Sequence, residues 1–406
     1  IQRPQLMLSL SMIVRNEEAR LAACLASVKG FADEMVLVDT GSVDATVAIA
    51  EQAGARVERM EWPGDFAPAR NHALQYLKGD WVLVLDADEQ LRPEVIPSLK
   101  ALMAQPDVLV INLLRYEIGA AMAPYSSVSR LFRRHPSIQW SRPYHSMIDE
   151  SVQALTTAEP QWRIADCSEP AILHDGYRPE LLAGSDKADR LREAMENDLK
   201  QHPGDPYACA KLGGLLISEG RESEAIPLLR QGLEGATAQS SERYELLLHL
   251  GLALSESDPD EAMAFYRQAL DIPLDTRITL GARLNLAARL MEHDQLEEAI
   301  QLTQTATQRA PEVALGWYNL GLMLRKKGDI AAALDAYGRS LALDPNNAAC
   351  HQNHAVARLL GGDIEAARNG FRKAIELLAA QGRADEARQL RDKIQGIVKL
   401  DAELMV

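Results

Sequence analysis

Apolar residues in the first part of the chain come in short runs, each closed by a polar cluster. Residues 6–14 are largely apolar and end in Arg15-Asn16-Glu17-Glu18. Residues 35–38 form a second run, closed by Asp39-Thr40-Gly41-Ser42, and residues 55–60 alternate apolar with polar. After the Gly79-Asp80 turn, residues 81–85 are wholly apolar and lead into Asp86-Ala87-Asp88-Glu89. Short apolar runs bounded by turn residues read as buried strands. Between them lie helical patterns. Residues 19–28 carry Leu21, Leu25 and Val28 on one face, residues 45–52 follow Asp44 as a cap, and residues 66–76 form a third helix. Strands alternating with helices at this spacing predict an α/β domain with a parallel, doubly wound sheet.

Ligands of open α/β sheets bind at the carboxyl ends of the strands. Three predicted strands end in polar residues at that edge: Asn16 and Glu17, then Asp39, then Asp86 and Asp88. Strand side chains alternate, so Asp86 and Asp88 are expected to point to one side, where they can share a cation. Mg²⁺ and Mn²⁺ accept carboxylate oxygens and keep positions open for substrate phosphates.

From Pro203-Gly204-Asp205-Pro206 onward the pattern is helical and repetitive. The segment from Trp317 to Pro345 follows the 34-residue tetratricopeptide pattern. Leu212-Gly213, Leu250-Gly251, Leu286-Ala287, Leu320-Gly321 and His354-Ala355 occupy equivalent positions. Ala225, Ala262, Ala299, Ala332 and Ala366 are the small residues expected where paired helices approach closely. The reading is a domain at 1–178, an Arg178-Pro179 break with a linking helix over 179–203, and about five repeats over 204–379. A capping helix, residues 384–400, falls in the final segment 380–406. Asn285, Asn319 and Asn353 recur every 34 residues, with Lys211 and His249 filling the position earlier. A ladder of asparagines can hydrogen-bond an extended peptide backbone without demanding sequence.

Composition narrows the classes. The 406-residue length suits two to three domains. The net charge is −15 and no basic tail exists, so nothing resembles a nucleic-acid footprint. Four cysteines lie far apart with no C-x-x-C spacing, which favours reduced buried thiols over a disulfide framework or zinc site. No apolar run approaches the length of a membrane span, and residues 6–14 read as a strand rather than a signal peptide. The expected location is cytoplasmic, although the chain starts at Ile1 and a removed targeting segment would escape this reading.

The segments Ser11–Glu18, Val38–Thr46, Phe66–Asn71 and Gly79–Glu89 together resemble the family 2 glycosyltransferases of the GT-A fold. The resemblance implies transfer of a sugar from a nucleotide-diphosphate donor, usually with inversion. It implies that Asp39 contacts the nucleotide base and that Asp86 and Asp88 bind ribose, Mg²⁺ or Mn²⁺, and diphosphate. Arg70 and Asn71 match a segment that supports the donor cleft; the alternative for Arg70 is a structural ion pair. Downstream, Ser129–Arg134 and His145–Glu150 are similar to the family's "RLFR" and "HE" segments, but Ser146 stands where a glutamate is expected. The general base is therefore sought among His145, Asp149 and Glu150. The segment Ile172–Tyr177 resembles the closing "IxHxGY" motif and makes His174 a further metal-ligand candidate. A transferase of this type fused to tetratricopeptide repeats resembles SunS-like bacterial peptide glycosyltransferases. That implies a peptide or protein acceptor on the concave face, with UDP as the expected nucleotide. A glycan acceptor, with repeats serving docking or homodimerisation, and a non-catalytic scaffold are the alternatives.

Overall fold

The computed structural model describes residues 6–120, 124–175 and 187–399. Gly176, Tyr177 and the Arg178-Pro179 break lie outside the described residues, as does Leu400 of the expected cap. The chain divides into two compact units, the first reaching Leu212 and the second starting at Gly213.

The first unit holds β1 (Leu8–Val14), α1 (Leu21–Ser27), β2 (Glu34–Asp39), α2 (Thr46–Gln52), β3 (Arg56–Arg59), α3 (Phe66–Leu74) and β4 (Trp81–Val84). It continues with β5 (Glu89–Leu91), α4 (Ile96–Met103), β6 (Val108–Glu117), β7 (Tyr125–Arg133), α5 (Asp149–Ala158) and β8 (Arg163–His174). The strands form one sheet in the order β3-β2-β1-β4-β7-β6-β8-β5. The half β3-β2-β1-β4 is wholly parallel, as the alternating pattern predicts. Beyond β4 the sheet is mixed. β7 is antiparallel to β4 and β6, β8 is parallel to β6, and β5 is antiparallel to β8.

β4 is apolar throughout because both its faces are covered. Trp81 and Leu83 pack with Leu10 and Met12 of β1 and Leu21 and Leu25 of α1. Val82 and Val84 pack on the other face with Phe132, Trp140, Ile148 and Val152. Gly79 is required at the turn before β4, since a Cβ there would lie 2.5 Å from Ser9 Oγ and 2.7 Å from Ser9 N.

The strand ends at Val84, earlier than the apolar run suggests. Glu89 Oε2 accepts the Asp86 N–H at 2.8 Å, and the Glu89 N–H returns to the Asp86 carbonyl at 2.9 Å. These two bonds close a turn, so the pleat does not govern where Asp86 and Asp88 point.

The helix Lys187–Gln201 groups with the first unit. The helices that follow pair as Pro206–Ser218 with Glu222–Gly235, Ser241–Leu254 with Pro259–Leu270, and Leu280–Glu292 with Leu296–Arg309. Ala314–Lys327 pairs with Ile330–Leu343 and Ala348–Leu360 with Ile364–Ala380, before a final helix, Ala384–Gln395. Glycines in the first helices admit large side chains from the second. A Cβ on Gly251 would sit 2.3 Å from the Tyr266 ring, and one on Gly321 2.6 Å from Tyr337. Ala225, Ala262 and Ala299 are fully buried as expected, but in the last two repeats the buried alanines are Ala333 and Ala367. Ala332 and Ala366 are only half-buried, so the sequence frame is one residue early there. All four cysteines are buried free thiols. Among the described residues, no helix is long and apolar enough to cross a membrane.

Candidate active site

The carboxyl edge of the parallel half begins with two interlocked loops. Asn16 follows β1 in the left-handed region at φ 55°, a conformation asparagine tolerates. Its Oδ1 accepts the Val43 N–H at 2.9 Å, and its N–H donates to Ser42 Oγ at 3.0 Å. Asp39 ends β2 opposite Val14 and is 5% exposed. Its carboxylate accepts N–H groups of Gly41 at 3.3 Å and Ser42 at 3.2 Å. Asp44 Oδ1 accepts the Thr46 N–H at 3.0 Å, but the N-cap of α2 is Ala45, one residue later than the sequence suggests, and it has no side-chain capping bond. Glu17 takes the Arg20 guanidinium at 2.8 Å, and Arg20 Nη1 stands 3.5 Å from Asp88 Oδ2. Glu17 thus meets the site through Arg20.

The two acids after β4 have different surroundings. Asp86 Oδ1 accepts from Arg70 at 2.7 Å and Oδ2 from Arg130 at 3.2 Å. Both arginines are nearly buried, with side chains 7% and 10% exposed. Both lie over the Trp140 ring, at 4.8 and 5.8 Å from its centroid. Burial would raise the Asp86 carboxyl, but the two guanidiniums outweigh it and hold it well below the usual carboxylate range. Arg70 is therefore in an ion pair, and the "ARN" segment has a second task. Asn71 Oδ1 accepts the Trp140 N–H at 2.8 Å while its amide donates to the Trp140 carbonyl at 2.9 Å.

Asp88 instead faces His174. Nε2 of His174 lies 3.4 Å from Asp88 Oδ2, and its Nδ1 meets Glu117 Oε2. Burial works against the charged histidine, but hydrogen bonds to Asp88 and Glu117 prevail and raise it to about 9. Burial raises the Asp88 carboxyl, and the His174 bond overcomes this and leaves it lowered. Glu117 Oε1 accepts from Arg115 at 2.7 Å, and Arg115 reaches Glu89 Oε1 at 3.0 Å. Glu89 is fully buried and also lies 3.9 Å from Arg130. Charges of alternating sign thus run from Asp86 through Arg130, Glu89, Arg115, Glu117 and His174 to Asp88. Sequence reasoning passed over Arg20, Glu89, Arg115, Glu117, Arg130 and Trp140 as site residues. Glu89 and Arg130 sit within the quoted acidic and "RLFR" segments; the others carried no local signal.

The structure separates the acids that the sequence reading had placed on one cation. Asp86 is a poor ligand because each oxygen already receives a guanidinium. Asp88 and His174 suit a divalent ion, one oxygen and one nitrogen donor side by side, with phosphate and water left to complete the shell. Among the described residues, no group of three or more His, Cys, Asp or Glu side chains forms a self-sufficient metal cage.

The segment with the base candidates is tied down at several points. His145 is exposed, adopts φ 43°, and accepts from Tyr207 OH through its carbonyl at 3.1 Å. Tyr144 stacks on Tyr207 with ring centroids 6.3 Å apart. Asp149 accepts from Ser129 Oγ at 3.2 Å, and Glu150 accepts from Arg142 at 3.0 Å. Arg142 also reaches Asp205 at 3.0 Å. Ser146 is 7% exposed and turned inward.

In the second unit Asn285, Asn319 and Asn353 are half-exposed on successive first helices. Asn285 donates to the Gly281 carbonyl at 2.7 Å, and Asn353 to the Ala349 carbonyl at 3.0 Å and Tyr318 OH at 3.1 Å. Among the described residues the Asn319 side chain has no hydrogen-bond partner.

Known proteins place this architecture. Residues 9–160 match the glycosyl transferase family 2 model, and residues 314–347 the tetratricopeptide repeat model. Over 390 residues, 96% of either chain, the sequence is 41% identical to a TPR repeat-containing protein of Synechococcus elongatus. It is 33% identical over 186 residues to an uncharacterized glycosyltransferase of Rickettsia bellii, covering 43% of this chain and 62% of that one. It is 25% identical over 245 residues to the glycosyltransferase SunS of Bacillus subtilis, covering 57% and 54% respectively. With a mostly parallel sheet, acids at its carboxyl edge and a helical-repeat second unit, the chain joins a family 2 glycosyltransferase domain to tetratricopeptide repeats and belongs to one family with the TPR repeat-containing protein of Synechococcus elongatus.

Proposed function

We propose that this glycosyltransferase moves a sugar from a nucleotide-diphosphate donor, with UDP the first candidate, to a peptide or protein acceptor held by the repeats. The observation that carries the donor half is the Asp88–His174 pair at the edge of the sheet, 3.4 Å apart and backed by Glu117. Asp39 contacts the nucleotide base from the end of β2. Asp88 and His174 would hold Mg²⁺ or Mn²⁺, and the ion would supply Lewis-acid stabilisation to the departing phosphate oxygens. Arg20 adds positive charge beside them. The acceptor hydroxyl or thiol loses its proton to a base in the segment from His145 to Glu150 and attacks with inversion. Asn285, Asn319 and Asn353 bind the acceptor backbone.

A thermal-shift panel of UDP, GDP, CDP and dTDP, each with and without Mn²⁺, tests the donor reading. A ligand at a hundred times its Kd stabilises the folded state by about 2.7 kcal/mol. A Mn²⁺-dependent shift for one nucleotide, lost in Asp88→Asn, is expected. No metal-dependent shift with any of the four defeats it. With the donor known, Asn319→Ala should raise KM for a peptide acceptor and leave kcat unchanged; unchanged KM would point to a glycan acceptor.

A further inference from the structure

We infer that Glu117 is the positioning residue of the metal arm: it holds His174 by Nδ1 so that Nε2 is aimed at the ion beside Asp88. The inference rests on the metal reading above and adds a residue that no motif contains. Its basis is the local construction of the sheet. Glu117 ends β6 and His174 ends β8, and the two are register partners across a parallel pairing. His174 is also the register partner of Glu89 across the antiparallel β5–β8 pair. Backbone bonds continue past both strand ends. Ile118 N–H donates to the His174 carbonyl at 2.9 Å, and Asp175 N–H donates to the Asp88 carbonyl at 3.0 Å. His174 and Asp88 are therefore carried on paired backbone, and only the imidazole rotation remains to be set.

Glu117 sets it. The side chain is 7% exposed and cannot wander, because Arg115 Nε holds Oε1 at 2.7 Å and Ser126 Oγ donates to the same oxygen at 3.2 Å. That leaves Oε2 for His174 Nδ1. A neutral histidine whose Nδ1–H is taken by a carboxylate presents Nε2 as the lone-pair nitrogen, so an ion binding beside Asp88 displaces the Nε2 proton and meets a more basic ligand. Loss of such a partner typically weakens metal binding about 10–100-fold. Arg115 is in turn held by Glu89, which also accepts the Asp86 N–H, so the support of the imidazole and the turn carrying Asp88 share one buried acid.

The test is direct Mn²⁺ titration of the full chain, with free Mn²⁺ read by electron paramagnetic resonance. Wild type should bind, with nitrogen modulation from a coordinated imidazole that His174→Gln abolishes. Glu117→Gln, which keeps the shape and an acceptor, should weaken binding about 10-fold, and Glu117→Ala up to about 100-fold. At saturating Mn²⁺ the imidazole signal should return in Glu117→Gln, because the ligand is misaimed rather than lost. Melting in EDTA checks the fold of each variant. If Asp88→Asn and His174→Gln weaken Mn²⁺ binding while Glu117→Gln and Glu117→Ala stay within twofold of wild type, the positioning role is wrong and the metal site stands. If wild type binds no Mn²⁺, or Asp88→Asn and His174→Gln bind it equally well, both readings fall.

Discussion

Asp86→Asn and Asp88→Asn are the same chemical change two residues apart, and they should fail in different ways. Asp86 lies between Arg70 and Arg130, whose side chains are 7% and 10% exposed. Neutralising it strands two guanidiniums, one over the Trp140 ring at 4.8 Å, with Glu89 as a distant second partner for the other at 3.9 Å. Breaking a buried pair costs about 3–5 kcal/mol. The Asp86 side chain is 34% exposed, so water can replace part of the lost charge and the lower end, about 3 kcal/mol, applies. For a unit of this size that lowers Tm by roughly 6–12 °C. Asp88 has longer contacts, 3.4 Å to His174 and 3.5 Å to Arg20, so its loss should cost less than that of Asp86. The readout is tryptophan fluorescence on heating, which reports mainly the first unit because Trp62, Trp81, Trp140 and Trp162 lie there and only Trp317 lies beyond. Donor turnover completes the assay: Asp88→Asn should lower Tm less than Asp86→Asn does and lose turnover. Equal Tm for Asp86→Asn and wild type would refute the ion-pair reasoning. A pH series adds a sign. The folded Asp86 carboxyl is held below its unfolded value, so its stabilisation is present above about pH 4 and is lost on acidification. The Tm gap between wild type and Asp86→Asn should stay constant from pH 8 to 5 and close below pH 4.

His354 in the repeats is lowered to about 4, first by burial and then by the charges of Arg358 and His351. A base neutral when folded destabilises the fold as it gains its proton, so the second unit should weaken as pH falls from about 6.5 toward 4. His354→Gln should flatten that slope in urea titrations, and an unchanged slope would dismiss the residue as its source. Gly321→Ala should destabilise by about 1–3 kcal/mol, because its Cβ would meet the fully buried Tyr337 ring at 2.6 Å. Gly338→Ala, in a helix with nothing within 4 Å of the added Cβ, should instead stabilise by about 0.5–1 kcal/mol in the same titration.

The parallel half of the sheet was legible because β4 is covered on both faces and reads as an unbroken apolar run. β8 was not, since Arg163, Ile164, Asp166, Ser168 and Glu169 are exposed along it and dilute any run. β5, only three residues long, gives no period to read. The repeats announced themselves through Gly251 and Gly321, yet Ala333 and Ala367 showed that one helical position decides which alanine is buried. At the site, convergence of Asp39, Asp86 and Asp88 could be argued from strand order. The separation of Asp86 from Asp88 could not, because Arg70 and Arg130 arrive from positions 16 and 44 residues away. The support of His174 by Glu117 depends on a pairing across 57 residues, which no local pattern encodes.

The contacts of Tyr207 and Asp205 with the loop at 142–145 bear on how such a chain can be recombined. A cut at the Pro203-Gly204 turn looks like a natural seam, but it would discard the hydroxyl bonded to the His145 carbonyl and a carboxylate partner of Arg142. A loop that holds two non-glycine residues, Arg142 at φ 74° and His145 at φ 43°, would then lose part of its anchorage. The transferase is therefore not a cassette ending where the repeats begin. A chimera exchanging one solenoid for another must inherit the chain through Leu212, so the graft would fall within a helix rather than at a turn.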